Sequence, residues 1–260
     1  MNKVRAKKFL GQHFLKDKKI AEEIVNSLTC KNLEHVLEIG PGMGILSEFL
    51  LKKDYDTSFI EIDDESVEYL NQNFPEMEGK ILHQDFLKMD IQSLEANNIA
   101  IIGNFPYNIS SQILFRLYEN RNKVKELVGM FQLEVAKRVI SKPGSKVYGI
   151  LSVLIQAFYN TSEVLTLEPE AFNPPPKVKS MVIRLERNNV KQLDCDEKLF
   201  FRVIKSTFNQ RRKTIRNSLR SLMNITDFQS DLLGQRPEQL SVEEFVKLTN
   251  EVKKHLDSLK

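Results

Sequence analysis

Residues 37–46, LEIGPGMGIL, join an apolar run to a turn with three glycines, Gly40, Gly42 and Gly44, and then to a helix-like segment. Glycine adopts turn conformations that a Cβ would exclude, and the first turn of a following helix presents unpaired N–H groups to a ligand. The spacing differs from the dinucleotide fingerprint G-x-G-x-x-G, because the third glycine comes one residue early and a proline separates the first two. On this stretch alone, a glycine-rich turn without a ligand remains the alternative.

Short apolar runs alternate with amphipathic segments on both sides of this turn. The runs lie at residues 35–40, 56–63, 80–86, 99–104 and 126–132, and are too continuous in Val, Ile, Leu and Phe for half-exposed strands. Segments 45–53 and 64–74 have helical spacing, so we predict an α/β fold with a parallel sheet covered on both faces. Further along, the sequence predicts a buried helix at 147–159 and an antiparallel strand pair from 162–172 and 177–187 at a sheet edge.

Acidic side chains follow the next two predicted strands. Glu61 comes about 20 residues after the glycines, where an acidic group can hold ribose hydroxyls. Asp85 ends the following strand, a position that by itself is also an ordinary helix cap. Because parallel strands end at a common edge, where open α/β sheets bind ligands, we expect these groups to line one site.

The fourth strand ends in IIGNFPYNIS, residues 101–110. The Asn104 side-chain oxygen can accept one N–H of an exocyclic amine, and a backbone carbonyl beside Pro106 can accept the other. Holding the amine in this way turns its lone pair toward an electrophile, and Tyr107 offers a ring on which a base can stack. The alternative is an Asx-turn that leads into a proline-led helix.

Composition limits the class of protein. With 260 residues, 41% hydrophobic and 28% charged, the chain has room for one large domain and one small domain of a soluble protein. No apolar run approaches the ~20 residues of a membrane helix, and the N-terminus lacks the features of a secretory signal. Cys30 and Cys195 are far apart and in no metal-like spacing. We therefore predict reduced thiols, a cytoplasmic protein, and no metal site.

Basic residues concentrate at two places. Residues 198–220 contain eight Lys and Arg and no acidic residue, and the first 19 residues contain seven basic side chains and one acidic. A solvated helix face is the alternative for one such cluster, but two clusters favour a polyanionic partner. We predict a helix over residues 200–222 whose apolar positions anchor it. Its Arg212, Arg216 and Arg220 would form a stripe for phosphates.

Several motifs together resemble one family. EIGPGMG, IEID, QDF and GNFPYNIS are similar to motifs of S-adenosylmethionine-dependent methyltransferases that dimethylate adenine N6 in ribosomal RNA. KKFLGQHFL, EAFNPPPKVKSMVIRL and FNQRRKTIRNSL narrow the resemblance to the KsgA-type enzymes of the small subunit. The resemblance covers nearly the whole chain. It implies a Rossmann-like, mostly parallel seven-stranded sheet and a small C-terminal helical domain.

The resemblance also implies roles for individual residues. The methionine end of S-adenosylmethionine would contact the glycine turn at Gly40 and Gly42. It would also contact the segment 12–15, which contains His13 and Leu15. Glu61 would bind the ribose, Asp85 the cofactor's adenine amine, and Asn104 would lie near the sulfonium. From the basic segment itself, we expect Arg211, Arg212, Lys213, Arg216 and Arg220 to bind the RNA.

Two positions depart from the family's pattern, and one loop has a physical logic of its own. His13 stands where many relatives have Asn, and Phe105 replaces Leu or Ile. We expect His13 to keep a hydrogen bond to the cofactor and Phe105 to alter packing only. Three prolines stiffen the segment 172–178, which we expect to present Phe172 to the target base opposite Tyr107. The alternative is a rigid connection with Phe172 in the core.

These observations predict a methyltransferase domain at residues 1–187 with a basic N-terminal arm, and a helical rRNA-binding domain at 188–260. The implied reaction is dimethylation of two adjacent adenosines in the loop of the 3′-terminal helix of small-subunit rRNA, on a precursor of the small subunit, by a monomer. Alternatives are a resistance methylase of the large-subunit rRNA, a ribosome-assembly factor in which methylation is secondary, and a nicotinamide-dependent oxidoreductase.

Overall fold

In a computed structural model, which describes residues 4–259, the chain divides into two compact units. The first contains the residues up to Ala136 together with Asn160–Arg187, and the second contains Lys137–Tyr159 together with the residues from Asn188 onward. The junction after Arg187 coincides with the predicted domain boundary. Residues 137–159, which the prediction assigns to the first domain, group instead with the C-terminal helices.

The first unit is built around a sheet of seven strands. In chain order, the strands of this sheet and of a smaller two-stranded pair are β1 (Phe14–Leu15), β2 (His35–Ile39), β3 (Thr57–Glu61), β4 (Ile81–His83), β5 (Ile99–Asn104), β6 (Val124–Gln132), β7 (Tyr159–Leu167), β8 (Phe172–Asn173) and β9 (Ser180–Arg187). Strands β1 and β8 form a separate antiparallel pair. The remaining strands have the spatial order β4-β3-β2-β5-β6-β9-β7.

The strand directions agree with the sequence-based prediction. Strands β4, β3, β2, β5 and β6 are parallel to one another, and β9 runs antiparallel to β6. Strands β9 and β7 are neighbours at the edge of the sheet, as expected for the segments 177–187 and 162–172. The predicted α/β class with a mostly parallel seven-stranded sheet is confirmed.

Helices lie between these strands along the chain and follow the last of them. They are α1 (Lys18–Asn26), α2 (Ser47–Leu50), α3 (Asp64–Asn73), α4 (Ser110–Glu119), α5 (Leu133–Ile140), α6 (Ile150–Gln156), α7 (Glu197–Asn209), α8 (Ile215–Leu219) and α9 (Val242–Ser258). Helix α2 is shorter than the predicted 45–53, because the next bonds, Lys52 to Phe49 and Lys53 to Leu50, close tighter turns. None of the helices within residues 4–259 combines the length and apolar character needed to cross a lipid bilayer.

The continuous apolar runs are explained by burial on both faces of the sheet. Adjacent residues Val36 and Leu37 in β2 are both fully buried, although their side chains point to opposite faces. In β5 every residue from Ile99 to Gly103 is buried. A strand covered on both faces has no polar face, so it shows a continuous rather than alternating pattern.

The second unit is a helical cluster that includes the middle segment of the chain. The Tyr148 ring lies 6.2 Å from the Phe208 ring, which lies 5.8 Å from the Phe245 ring of α9. These aromatic contacts tie residues 137–159 to α7 and α9. A capping box closes the N-terminus of α9, because the Ser241 and Glu244 side chains accept each other's backbone N–H groups at 3.2 and 2.8 Å.

The predicted continuous helix over residues 200–222 is wrong. Helix α7 ends at Asn209 and α8 begins at Ile215, after a connection of turns. The break is stabilised from outside, because the N–H of Ile215 donates to the carbonyl of Gln235 at 2.8 Å and that of Arg216 to Leu233 at 3.1 Å. Arg212 therefore lies in the connection, and does not share a helical stripe with Arg216 and Arg220.

Candidate active site

A cleft opens at the carboxyl ends of the parallel strands, where the predicted ligand groups meet. Gly40, Glu61, Asp85 and Asn104 line one cavity of about 190 Å³, hereafter the first cavity. A single water needs only about 10–15 Å³ measured in this way, so this space is large enough for an organic ligand. Four segments separated by at least 19 residues in sequence thus converge, because parallel strands deliver their ends to one edge.

The glycine turn after β2 needs glycine for two different reasons. Gly40 and Gly42 have φ of +67° and +58°, in the left-handed region that residues with a Cβ rarely adopt. A Cβ on Gly42 would also lie 2.8 Å from the Phe14 ring, whereas a Cβ on Gly40 would meet no atom within 4 Å. Gly40 therefore borders open space in the first cavity, where backbone can approach a ligand closely.

Glu61, at the end of β3, is a buried carboxylate whose oxygens are partly satisfied by backbone. Oε2 accepts the N–H of Gly42 at 3.1 Å, and Oε1 accepts those of Ile62 and Asp63 at 2.9 and 3.0 Å. Burial raises the pKa of Glu61, while these three backbone hydrogen bonds act in the opposite direction. The carboxylate is thus rigidly held beside the glycine turn, with lone pairs left for a ligand hydroxyl.

Asp85 caps a short 3-10 turn beyond β4. Its Oδ1 accepts the N–H of Leu87 at 2.9 Å, while Oδ2 lies 3.9 Å from the Lys88 ammonium. The side chain is partly exposed and lines the first cavity together with Gln84 and Phe86. One oxygen is therefore committed to the turn and the other is available to a ligand N–H.

Asn104 is oriented by the backbone of the N-terminal arm. Its Nδ2 donates to the carbonyl oxygen of His13 at 2.7 Å. Its Oδ1 makes no hydrogen bond to the residues that the structure describes, and the side chain is half-buried at the cavity wall. This arrangement leaves the amide with a free acceptor of fixed direction, which is the property that the sequence argument requires.

The next residue, Phe105, fills a slot made by two glycines. Its ring is buried, and a Cβ on Gly129 or Gly103 would lie 2.0 or 2.8 Å from it. The expectation that Phe105 changes packing is consistent with this slot. The carbonyl of Pro106 already accepts the Ile109 N–H at 3.2 Å and the Ser110 hydroxyl at 3.4 Å. A carbonyl oxygen has two lone pairs, and these two contacts use both of them at Pro106. The Phe105 carbonyl is therefore the better second acceptor for an amine N–H beside Pro106.

Tyr107 and His13 form the wall between the first cavity and a second one. The second cavity is lined by Lys8, His13, Tyr107, Lys177 and the prolines at 174–176, among others. The Tyr107 hydroxyl lies 2.5 Å from Ser180 Oγ, and its ring centroid lies 5.4 Å from that of His13. His13 Nδ1 lies 2.8 Å from the Pro174 carbonyl and so carries the proton of that hydrogen bond. Both rings are thereby fixed at the junction of the two cavities.

The predicted position of Phe172 opposite Tyr107 is wrong. Phe172 is only 1% exposed and packs in the hydrophobic core. It belongs to β8, where it pairs with Leu15 of β1, and this pairing turns its ring away from the second cavity. The proline loop does reach Tyr107, but Pro174 to Pro176 form the wall there.

Leu15 and Glu38 also differ from the sequence-based picture. The Leu15 side chain is buried in the core and does not line the first cavity.

Glu38, which the sequence analysis passed over within a buried strand, is 1% exposed and accepts the Ser47 hydroxyl at 2.7 Å. Burial raises the pKa of Glu38 to about 8, so this carboxyl is protonated at neutral pH. An acidic residue inside an otherwise apolar strand was the signal that could have identified it.

The predicted RNA-binding residues are mostly exposed. Arg212, Lys213, Arg216 and Arg220 are exposed on the second unit. Arg211 is half-buried, donates to the Ser145 carbonyl at 3.2 Å, and lies 3.9 Å from Glu238. Arg211 therefore has a structural role within the unit, while the other four present their charges to solvent.

The fold and the cleft define the class of the protein. The order β4-β3-β2-β5-β6-β9-β7, with β9 antiparallel to β6, differs from the standard dinucleotide-binding order at its last two strands. A dimethyladenosine transferase from Plasmodium falciparum has a similar structure, with a TM-score of 0.79 and 25% identity over 93% of this chain and 98% of that chain. The 23S rRNA methyltransferase ErmE shares the fold, with a TM-score of 0.66 and 22% identity over 92% and 99% of the two chains. The chain thus has the Rossmann-like fold of S-adenosylmethionine-dependent methyltransferases.

Sequence comparison identifies the family. The family model "Ribosomal RNA adenine dimethylase" matches residues 3–254. A curated relative from Flavobacterium johnsoniae, named ribosomal RNA small subunit methyltransferase A, is 56% identical over 255 residues, which are 97% of this chain and 97% of the relative. The chain belongs to the ribosomal RNA adenine dimethylase family, and the resemblance inferred from the motifs is confirmed.

Proposed function

We propose that the protein transfers methyl groups from S-adenosylmethionine to N6 of two adjacent adenosines in the loop of the 3′-terminal helix of small-subunit rRNA, two per base. Family membership supports the reaction, and the name of the Flavobacterium johnsoniae relative supports the choice of subunit. The observation on this chain that carries the proposal is the Asn104 amide. Its nitrogen is held by His13 and its oxygen is free at the cavity wall.

The residues of the first cavity fit S-adenosylmethionine. Glu61 would accept the ribose hydroxyls, Asp85 the amine of the cofactor's adenine, and the open side of Gly40 would admit the methionine portion against backbone. When bound, the cofactor supplies a methyl group made electrophilic by a positively charged sulfur. The protein's contribution is to bind and orient, since displacement at the methyl carbon requires the reacting atoms to be in line.

The chain's own groups would hold the target amine. The Asn104 oxygen and the Phe105 carbonyl accept the two N–H groups of adenine N6, which turns the nitrogen lone pair away from conjugation with the ring. Tyr107, braced by Ser180 and His13, offers its ring as a stacking platform at the junction of the cavities. The alkylated nitrogen loses its proton to water after the transfer, so a neutral amide suffices and no strong base is needed.

The second unit would hold the rRNA through its backbone. Arg212, Lys213, Arg216 and Arg220 are exposed, and exposed basic side chains bind phosphates in a salt-dependent manner. We further propose that the substrate is a partly assembled small subunit in the cytoplasm, and that the protein acts as a monomer.

The proposal can be tested with small and large ribosomal subunits from cells that lack this modification. Each is incubated with the purified protein and isotope-labelled S-adenosylmethionine, and the rRNA is digested and analysed by mass spectrometry. We expect labelled N6,N6-dimethyladenosine in the small-subunit rRNA only. Label confined to large-subunit rRNA, or none in either, would contradict the proposal.

A further inference from the structure

A network of polar contacts joins the N-terminal arm to the end of β3. The arm is the segment of residues 7–13. The Lys7 ammonium pairs with Oδ1 of Asp63 and lies 3.2 Å from Glu65. Within the arm, the Lys7 backbone N–H donates to the Gln12 side-chain oxygen at 2.8 Å, and Gln12 Nε2 lies 3.4 Å from Oδ2 of Asp63. Lys7 and Gln12 of the arm therefore both contact one carboxylate.

That carboxylate is the hub of the network. The Asp63 side chain is completely buried, while Lys7 is 24% exposed. Burial acts to raise the pKa of Asp63, but hydrogen bonds from Lys7, Ser66 and Gln12 outweigh it and the pKa is lowered. A buried carboxylate that lost its cation would be left with an uncompensated charge, which makes this pair more consequential than an exposed ion pair.

The same arm is attached on the other side of the cleft, beyond β5. The Asn108 side chain donates to the Phe9 carbonyl at 3.4 Å, and Asn104 donates to the His13 carbonyl at 2.7 Å. Strands β3 and β5 flank β2 in the sheet, so the arm crosses over the glycine turn that follows β2. Residues 10–13 of this crossing segment form part of the wall of the first cavity.

The network also reaches the proposed ribose-binding group. The backbone N–H of Asp63 donates to Oε1 of Glu61 at 3.0 Å. The Asp63 carboxylate thus anchors the arm, while its backbone supports Glu61. A displacement of Asp63 would disturb two walls of the first cavity together.

From these contacts we propose that Lys7 is a positioning residue for the cofactor. Through its ion pair with Asp63, it holds the arm across the first cavity and slows the release of the bound ligand. The inference rests on the proposed function, because it assigns the first cavity to S-adenosylmethionine. It predicts that ligand affinity and the order of the arm depend on a side chain that lines neither the first nor the second cavity.

The test uses S-adenosylhomocysteine as the probe and the full-length protein. In calorimetric titration, we expect Lys7→Met to weaken binding by about tenfold, since one buried charge-assisted hydrogen bond is lost. Lys7→Arg keeps a cation and is expected to restore affinity to within about threefold of the unchanged protein. The matched control is Lys247→Met, which breaks an exposed 2.8 Å pair with Asp231 in the second unit and should leave binding unchanged.

Hydrogen exchange distinguishes positioning from a general loss of stability. Peptides covering the arm should gain protection when S-adenosylhomocysteine binds the unchanged protein, and should lose most of that gain in Lys7→Met, while core strands stay protected. Asp63→Asn provides a second route, and the double variant with Lys7→Met should be no weaker than the weaker single variant.

The outcomes separate the inference from the proposed function. If the unchanged protein fails to bind S-adenosylhomocysteine, the proposed function fails. If it binds, but Lys7→Met binds equally well and shows the same protection of the arm, the positioning role of Lys7 is refuted while the proposed function stands.

Discussion

Asn104 combines a fixed direction with a neutral side chain. The His13 carbonyl accepts its Nδ2 proton, so rotation of the amide would place two carbonyl oxygens against each other. The oxygen consequently keeps a fixed direction without the help of a charged residue. This geometry suits a group that orients an amine and leaves the proton to be lost afterwards.

Replacing Asn104 tests this role directly. We expect Asn104→Ala to lower kcat for rRNA methylation by about 100-fold or more, because an acceptor that aligns the nucleophile is removed. Affinity for S-adenosylhomocysteine should change by much less, about fivefold at most, since Glu61 and Asp85 remain. Single-turnover methylation and calorimetry measure the two effects, with exposed Asn122→Ala as the matched control. A parallel loss of both quantities would assign Asn104 to cofactor binding alone.

Glu38 gives a stability effect with a defined pH window. Burial raises its pKa from the model-compound value of 4.5 to about 8 in the folded protein, so the folded state binds the extra proton between these values. Stability must therefore fall as pH rises through this window, because ionisation of the unfolded chain is favoured.

We expect Glu38→Gln to remove this dependence. The variant should gain stability relative to the unchanged protein between pH 5 and pH 8, by on the order of 3 kcal/mol. Urea unfolding at several pH values measures the difference, and Glu22→Gln on the exposed face of α1 serves as the control. Parallel pH profiles for the Glu38 variant and the unchanged protein would show that Glu38 ionises normally.

At the scale of elements, two glycines at facing positions of the parallel strands β5 and β6 leave a space. One aromatic ring fills that space. Gly103 and Gly129 are paired across these two strands, and the Phe105 ring packs over both and lies 5.1 Å from the Phe131 ring. The large Phe105 side chain, directly after β5, therefore fits only because both positions are glycine. This explains how the departure at Phe105 is accommodated.

Gly129→Ala is expected to destabilise the protein by about 2 kcal/mol or more, because its Cβ would lie 2.0 Å from the buried Phe105 ring. Adding Phe105→Leu to Gly129→Ala should recover about half of the lost stability. Adding Phe105→Leu to Gly103→Ala should recover none. At Gly103 the new Cβ would also lie 2.5 Å from the Ile39 carbonyl oxygen, which no change at Phe105 removes. Urea unfolding of the single and double variants provides the comparison. Equal recovery in both pairs would contradict this packing.

The helix break between α7 and α8 has its cause outside the segment itself. Residues 200–222 have no proline or glycine, and their apolar spacing favours one long helix. Hydrogen bonds from Ile215 and Arg216 to the backbone at 233–235 compete with that continuation. Tertiary contacts have thus overridden local propensity.

At the scale of the whole molecule, one of the two concentrations of basic residues lies in the second unit, where Arg212, Lys213, Arg216 and Arg220 are exposed. The chain as a whole has a net charge of only +3, so attraction for a polyanion depends on such local concentrations of basic residues. Arg211 differs from its neighbours because it is bonded within the unit.

Removing the cluster should therefore affect rRNA binding and leave the first cavity intact. We expect the quadruple Gln variant of Arg212, Lys213, Arg216 and Arg220 to bind small-subunit rRNA at least about tenfold more weakly at physiological salt. The slope of log affinity against log salt concentration should be shallower by about 3, because each of the four lost phosphate contacts contributes roughly 0.7. Filter binding over a salt series measures this, with S-adenosylhomocysteine affinity as the internal reference. The charge-matched control replaces four exposed lysines of the first unit by Gln: Lys31, Lys52, Lys53 and Lys80. An unchanged salt slope in the cluster variant would exclude these residues from the interface.

The sequence by itself determined the sheet and the ligand edge of this protein. Apolar runs and glycine turns are local signals, and parallel strands must deliver their carboxyl ends to one side, so Gly40, Glu61, Asp85 and Asn104 could be assigned to one site in advance. The basic cluster was equally visible as composition.

Only the tertiary structure decided which groups face the cavities. It buried Phe172 through the pairing of β8 with β1, ended α7 at Asn209, and placed residues 137–159 with the C-terminal helices. It also revealed that Lys7 meets Asp63, 56 residues away. These features depend on contacts between segments distant in the chain, and such contacts leave no periodic or compositional trace in either segment alone.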